Sequence, residues 1–376
     1  MIQVSRADTS TVGRWWWTVD RWTLAALLTL IGFGYVMMLA ASPAVAERIG
    51  AASRNMFFLR QIVYLGLASA VLVAVSMLTV KQVRLLAWAG LAGAMLLVAA
   101  TLVVGTEIKG ARRWLALPGI GSLQPSEFLK PCFAVVAAWL IAEGKLARRH
   151  GATILSVLIF GGIALMLKSQ PDIGMMLVVT AVFFAQFFVA GLNILAVGFV
   201  GLLGAAAAVG AYFLFPHVQA RMARFTGEQT ENYQIEVALE AFGNGGLLGR
   251  GPGEGRLKNM LPDAHADFVF AVAGEEFGLV LCLVILALFA FIVVRGLVRL
   301  LGEADLFVVL ASAGLLTQFG LQAFINMGST LHLIPTKGMT LPFVSYGGSS
   351  VIAIALGMGM LLALTRRRLS RAEEQR

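Results

Sequence analysis

The feature that most limits this chain is a succession of apolar stretches, each about 20 residues long and nearly free of charge. A helix needs about 20 apolar residues to cross the hydrocarbon of a bilayer. Hydrophobic runs and the turn residues between them predict spans at 22–42, 57–79, 82–105, 125–143, 152–169, 171–190, 193–215, 267–294, 306–330 and 342–365. The expected fold class is an all-α polytopic membrane protein with about ten transmembrane helices. Composition closes the alternative. Of 376 residues, 59% are hydrophobic and 13% charged, against roughly 25% charged in soluble domains. Such a chain cannot cover its own surface with polar groups, so lipid must cover much of it. The 41 glycines suit helices that approach one another closely.

The net charge of +9 would suggest nucleic acid in a soluble protein. Here basic residues flank membrane spans, beside anionic headgroups, so the partner expected is the lipid bilayer and no nucleic acid. An even number of spans puts both termini on one side. Arg366, Arg367, Arg368 and Arg371 in the tail, Lys145, Arg148 and Arg149 after the fourth span, and Arg295 and Arg299 after the eighth assign that side to the cytoplasm. The expected organisation is a cytoplasmic segment at 1–21, a ten-helix domain at 22–365 with one long outer connection between helices 7 and 8 at about 216–266, and a basic cytoplasmic tail at 366–376. The first apolar run is long enough to span and reads as a retained helix rather than a cleaved signal. Trp15, Trp16, Trp17 and Trp22 are expected to form an interfacial aromatic anchor. Cys132 and Cys282 lie in apolar runs, and the four histidines are scattered, so neither a structural disulfide nor a metal site is expected.

Ionisable residues at membrane depth are costly and are functional candidates by default. They collect in four places, all on the outer side. The first holds Lys109, Arg113 and Trp114, then Gln124-Pro125-Ser126-Glu127 and Lys130. Pro125 suits the first turn of a helix with Gln124 near its cap. Glu127 and Lys130, three apart, share a face and can pair. Arg113 beside Trp114 suits a phosphate or sugar face. The second is Gln170-Pro171-Asp172, where the aspartate serves equally as a cap or as site support.

The third is the outer connection, with a glycine-rich stretch from Gly243 to Gly255 and then Leu261-Pro262-Asp263-Ala264-His265-Ala266-Asp267-Phe268. No strand precedes the glycines, so flexibility or close backbone approach accounts for them better than a nucleotide loop does. Asp267 stands where the chain turns apolar, its carboxylate at the membrane surface. Ala271, Gly274 and Gly278 fall below it on one helix face and leave a groove for a lipid chain or another helix. Glu275 and Glu276, about 12 Å deeper at 1.5 Å per residue, suit bracing rather than chemistry. The fourth place is Asn326, Lys337 and Ser345-Tyr346-Gly347-Gly348-Ser349-Ser350, a run offering hydroxyls and close backbone approach inside an apolar span.

These residues resemble the SEDS family (shape, elongation, division and sporulation) of ten-helix bacterial membrane enzymes. The shared elements are Gly110-Ala111-x-Arg113-Trp114, Gln124-Pro125-Ser126-Glu127-x-x-Lys130, Gln170-Pro171-Asp172-x-Gly174, Leu261-Pro262-x-Ala264-His265-x-Asp267-Phe268 with Glu275-Glu276-x-Gly278, and Leu341-Pro342-x-x-Ser345-Tyr346-Gly347-Gly348-Ser349. They occur in family order over about 20–365. Ala266 and Asp263 depart from the usual threonine and glutamate. Pro335-Thr336-Lys337-Gly338-x-Thr340-Leu341-Pro342 and the double Ser349-Ser350 resemble the division branch more than the elongation branch.

The resemblance implies a peptidoglycan glycosyltransferase that polymerises lipid II at the periplasmic face of the bacterial inner membrane, at the division septum. Its implied partners are a class B penicillin-binding transpeptidase of the FtsI type and other divisome proteins. A sugar hydroxyl needs a base to attack, and a carboxylate can serve. A diphosphate leaves as an anion and needs positive charge rather than a second acid. Asp267 is the expected catalytic base, with inversion at the donor sugar. Lys109, Arg113, Trp114, Glu127, Lys130, Asp172, His265, Lys337, Ser345, Tyr346 and Ser349 are the candidate substrate-binding residues. No cofactor is built in, but a divalent cation, Mg²⁺ or Mn²⁺, can accompany the substrate diphosphate. A lipid II flippase and a non-catalytic divisome scaffold are the alternatives. Charge collected on one side, rather than along a path across the bilayer, favours the polymerase.

Overall fold

The computed structural model describes residues 10–48, 56–108, 111–117, 121–191, 233–261, 263–335 and 338–367, with short pieces between 209 and 223. Over these residues the chain is mostly helical. Seven helices are long and apolar enough to cross a membrane: α2 (Arg21–Arg48, apolar as far as Pro43), α3 (Met56–Ser76), α4 (Val80–Val104), α5 (Pro125–Leu146), α6 (His150–Ser169), α9 (Val269–Leu300) and α10 (Leu306–Thr330). Two apolar helices are shorter, α7 (Ile173–Val189) and α11 (Gly348–Leu364). Most of the expected span at 193–215 lies outside the described residues. A short helix, α1 (Thr11–Thr18), precedes the spans, and α8 (Tyr233–Gly245) precedes α9.

Local sequence explains where the helices begin. Thr79 and Gln82 form a capping box at α4, each side chain bonded to the other residue's backbone. Pro125 opens α5 after Gln124, as its missing N–H allows. Asp172 and Asp305 cap α7 and α10 by accepting from Met175 N and Phe307 N. α5 is buried on nearly every side and forms the axis of the bundle, with α4, α6, α7, α10 and α11 around it. The core is aliphatic with a ladder of rings (Phe133, Phe160, Phe183 and Phe187) between α5, α6 and α7. By contrast α6 leaves most of its surface open, as a lipid-facing helix does.

Four features differ from the sequence reading. Three short strands, β1 (Thr106–Ile108), β2 (Ala111–Leu117) and β3 (Gly121–Leu123), pair as an antiparallel sheet where only a loop is expected. Strands this short between two long apolar helices leave no mark on hydropathy. Trp15 is buried with its indole N–H donating to Ser76 Oγ at 2.8 Å, so it pins α1 to α3 rather than joining the interfacial anchor. Trp16 and Trp22 remain exposed. The segment 342–347, expected as the start of the last span, is not helical; Ser345 Oγ takes the Leu341 N–H at 2.8 Å and closes a turn there.

The fourth difference is a break in α9. Gly278 has φ +77°, a conformation that favours glycine. The chain between Gly245 and Gly251 enters the break. Arg250 N and Gly251 N donate to the carbonyls of Glu275 and Glu276, each at 3.0 Å, while Leu279 N and Val280 N donate to Gly246 O and Leu247 O at 2.9 and 3.2 Å. A broken helix is tolerated at membrane depth only when the freed backbone groups find such partners. Gly249 has φ +81°, and a Cβ there would run into the Glu276 carbonyl. The glycine-rich stretch is therefore a close-approach device. The groove of Ala271, Gly274 and Gly278 is filled by this chain itself, with the Phe242 ring of α8 lying on Gly274.

Candidate active site

The outer connection packs against α9 through buried charge. Glu276 Oε1 lies 2.5 Å from Lys258 Nζ, and its Oε2 accepts from Gly253 N at 2.7 Å. Glu275 Oε1 accepts from the backbone of Arg256 and Leu257 at 2.8 and 3.1 Å. Lys258 also donates to Ala40 O on α2 at 3.0 Å. Both carboxylates are fully buried and fully engaged, so they hold the connection in place. That frame delivers residues 263–268 to one end of the bundle.

Here a cavity of about 330 Å³ opens between α3, β2, β3, α5, α7, α10 and the segments 266–267 and 338–350. Asp267 reaches it from the residue before the α9 cap. Its N–H donates to Asp263 O at 3.0 Å, and its carbonyl accepts from Asn326 Nδ2 at 3.0 Å. The same amide donates to Met339 O at 2.6 Å, so Asn326 ties the aspartate and the 338–340 segment to α10. A Cβ at Gly338 would lie 2.9 Å from Asp267 Oδ2, which leaves this side of the carboxylate lined by bare backbone.

Ser345 and Tyr346 clamp the same turn from the other side. Ser345 Oγ donates to Ala266 O at 2.6 Å, and Tyr346 N donates to His265 O at 2.8 Å. Gln61 on α3 donates to Ser345 O at 3.1 Å. The His265 ring lies between Phe57 and Tyr346, at centroid distances of 4.8 and 5.0 Å. Burial pushes its imidazole down to about 4; Asp263 opposes the shift and Arg48 adds to it. His265 is therefore neutral at pH 7 and acts as packing.

Two ion pairs line the opposite wall. Arg113 donates from β2 to the carbonyls of Gln170 and Pro171 at 2.9 and 2.6 Å and lies 3.5 Å from Asp172. Alternation along the strand turns its neighbour Arg112 away, toward Glu107. Lys130 pairs with Glu127 at 2.8 Å, one turn apart on α5, and donates to Gln322 Oε1 at 2.9 Å. Lys130 is itself buried, so its charge reaches the cavity through Glu127 and Gln322. Ser349 accepts from Gln124 N at 3.2 Å, and Ser350 shares a 2.7 Å bond with Thr340.

Of the residues singled out in the sequence, Arg113, Trp114, Glu127, Asp172, Asp267, Tyr346 and Ser349 line the cavity. Lys130, His265 and Ser345 stand behind it. Lys109 and Lys337 lie outside the described residues. Tyr64 and Gln322 also line it and were not singled out. Their signal is helical spacing with other polar residues, Gln61 three before Tyr64 on α3, and Gln318 and Asn326 four to either side of Gln322 on α10. Among the described residues no group of three or more His, Cys, Asp or Glu is arranged to hold a metal ion.

These features define a polytopic membrane protein with a polar, carboxylate-bearing chamber set into one end of its bundle. The family model FTSW_RODA_SPOVE, described as cell cycle protein, matches residues 21–369. A probable peptidoglycan glycosyltransferase FtsW of Caulobacter vibrioides is 43% identical over 366 residues, covering 97% of this chain and 93% of that one. The corresponding protein of Alkalilimnicola ehrlichii is 36% identical, with 95% and 92% covered. A solved chain from work on the structural coordination of polymerization and crosslinking by a peptidoglycan synthase complex superposes with TM-score 0.77 at 28% identity, over 92% of this chain and 97% of that chain. The rod shape determining protein RodA of Thermus thermophilus gives TM-score 0.67 at 28% identity, over 93% and 97%. The chain belongs to the FtsW/RodA/SpoVE family of cell cycle proteins and, within it, to the FtsW type.

Proposed function

We propose that the chamber is where this chain, a peptidoglycan glycosyltransferase of the FtsW type, polymerises lipid II during cell division, with Asp267 as general base. The observation that carries the reading is the meeting, in one cavity, of a carboxylate on a pinned turn with the Arg113–Asp172 pair and with Glu127, the partner of the buried Lys130. In the reaction the 4-hydroxyl of the acceptor sugar attacks the anomeric carbon of the donor. Asp267 takes the hydroxyl proton as the new glycosidic bond forms. The bond from the anomeric carbon to the diphosphate breaks, and undecaprenyl diphosphate leaves with the electron pair. A single displacement inverts the α-linked donor to a β-linkage.

The leaving diphosphate needs positive charge. Arg113 offers it from the rim, where its guanidinium is partly open, and Lys109, Lys337 and the buried Lys130 complete the set in this reading. Glu127 and Asp172 hold their bases in place, and Trp114, Tyr346 and Ser349 offer a sugar face. A divalent cation brought with the diphosphate would bind through phosphate oxygens and water. The chain crosses the cytoplasmic membrane ten times, with both termini inside and the chamber on the periplasmic face at the septum. Its partner is a class B transpeptidase of the FtsI type, which would crosslink the strands. The synthase-complex relative supports such a pairing.

The test is polymerisation of lipid II by the purified chain, alone and with its transpeptidase, wild type against Asp267→Asn. Polymer from the wild type and none from a well-folded variant is expected. Full activity in Asp267→Asn overturns the assignment of the base.

A further inference from the structure

At the end of the bundle away from the chamber, we infer a binding site for the phosphodiester headgroup of an anionic phospholipid. α11 starts at the chamber and runs 17 residues, about 25 Å at 1.5 Å per residue, to a second cavity of about 380 Å³. Arg14 of α1, the α3–α4 turn at 77–80, and Arg366 and Arg367 after α11 enclose it.

Three arginines face this cavity, and among the described residues none that lines it is acidic. The described carboxylates nearby are already engaged. Asp20 takes Arg295 and Arg299 at 2.8 and 2.7 Å. Glu303 accepts from Asp305 N at 3.0 Å, and Asp305 caps α10. The α4 terminus beside the cavity adds positive potential, since its first turn holds no acid and Lys81 is exposed there. Arg366 donates to Met77 O at 3.2 Å, which leaves most of its five N–H groups for a ligand. Burial and the like charge of Arg14 both hold its guanidinium below the usual value, a direction that an anion in the cavity opposes.

The surroundings select a lipid over a free anion. α1 lies along the helix ends, with Trp15 buried and Val12 and Trp16 exposed, the pattern of a helix in the interface plane. Leu85, on the next turn of α4, is exposed as well. A headgroup phosphate between the arginines would leave its acyl chains beside these apolar side chains. Arginine forks match phosphate oxygens bidentately, and basic pockets between helix ends bind such headgroups.

The experiment uses the purified full chain in detergent, with thermal unfolding and native mass spectrometry as readouts. Phosphatidylglycerol is expected to raise the unfolding midpoint and remain bound, while phosphatidylcholine does neither. Arg14→Gln should weaken retention about fivefold, the factor equivalent to ~1 kcal/mol per basic residue at an anionic surface. Arg14→Gln with Arg366→Gln should abolish it, and Arg148→Gln, at another basic loop, should not change it. If the double variant is too unstable to compare, the single Arg14→Gln retention decides. Equal stabilisation of wild type and Arg14→Gln, or a full shift from inorganic phosphate alone, overturns the lipid site. None of these residues touches the chamber, so loss of the polymerase reading leaves this inference standing.

Discussion

Asp267 and the Glu275–Glu276 pair lie within ten residues of one another, yet the fold treats them in opposite ways. The two glutamates are deeper and wholly buried. Their oxygens are taken up by Lys258 and by the backbone of 253–257. Asp267 is half-buried and lines the cavity, and its backbone is held by Asp263 and Asn326. Depth in the membrane therefore does not decide which acid meets the chamber. What decides it is the turn that carries the acid, which Asn326, Ser345 and Tyr346 hold open on the cavity.

Substitutions can break or sharpen this contrast. The largest effect is expected for Asp267→Asn. It should lower lipid II polymerisation by about 10²–10⁴-fold, the range for removing a general base, with an unchanged unfolding midpoint. Glu276→Gln should do the reverse. It strands the Lys258 charge in the interior and should cost about 3–5 kcal/mol of stability, seen as a lower midpoint and folded yield, while activity per folded molecule persists. Adding Lys258→Met to that variant should recover much of the loss, because both charges are then gone.

A smaller effect concerns pH. His265 has its folded value near 4 against an ordinary 6.5. The folded state binds this proton less tightly than the unfolded state. Stability from the neutral ring is thus complete above about pH 6.5 and lost as pH falls toward 4, by roughly 3 kcal/mol at 1.36 kcal/mol per unit. A pH series of unfolding midpoints should show this decline, and His265→Phe should flatten it. The smallest effect is Ser345→Ala. Losing one buried hydroxyl should cost about 1–2 kcal/mol, but it also frees the Ala266 carbonyl beside Asp267. A fall in kcat with little change in KM would show that the clamp positions the base.

The sequence carried much of the site because membrane burial makes polar residues expensive. Glu127–Lys130 at helical spacing, Pro125 at a helix start and Asp172 as a cap are local facts, and each holds in the structure. Trp15 misled because interfacial and buried tryptophans look alike in one dimension, and only Ser76 of α3 distinguishes them. Tyr64 and Gln322 escape a reading built on charge because both are uncharged, although Gln318, Gln322 and Asn326 share one face of α10.

By itself, then, the sequence determined a membrane-embedded helical protein and the residue types of its polar end, since hydropathy and helical spacing are properties of short stretches. It determined the family too, through motifs that keep their order along the chain. Only the tertiary structure decided that the glycine-rich stretch mends a broken helix, which segment Glu275 and Glu276 brace, and that Asp267 faces Arg113 and Glu127 across one cavity. Each of those rests on partners far apart in the chain, such as Asn326 with Asp267 or Arg113 with Gln170. No local pattern encodes a contact that forms only when distant helices pack.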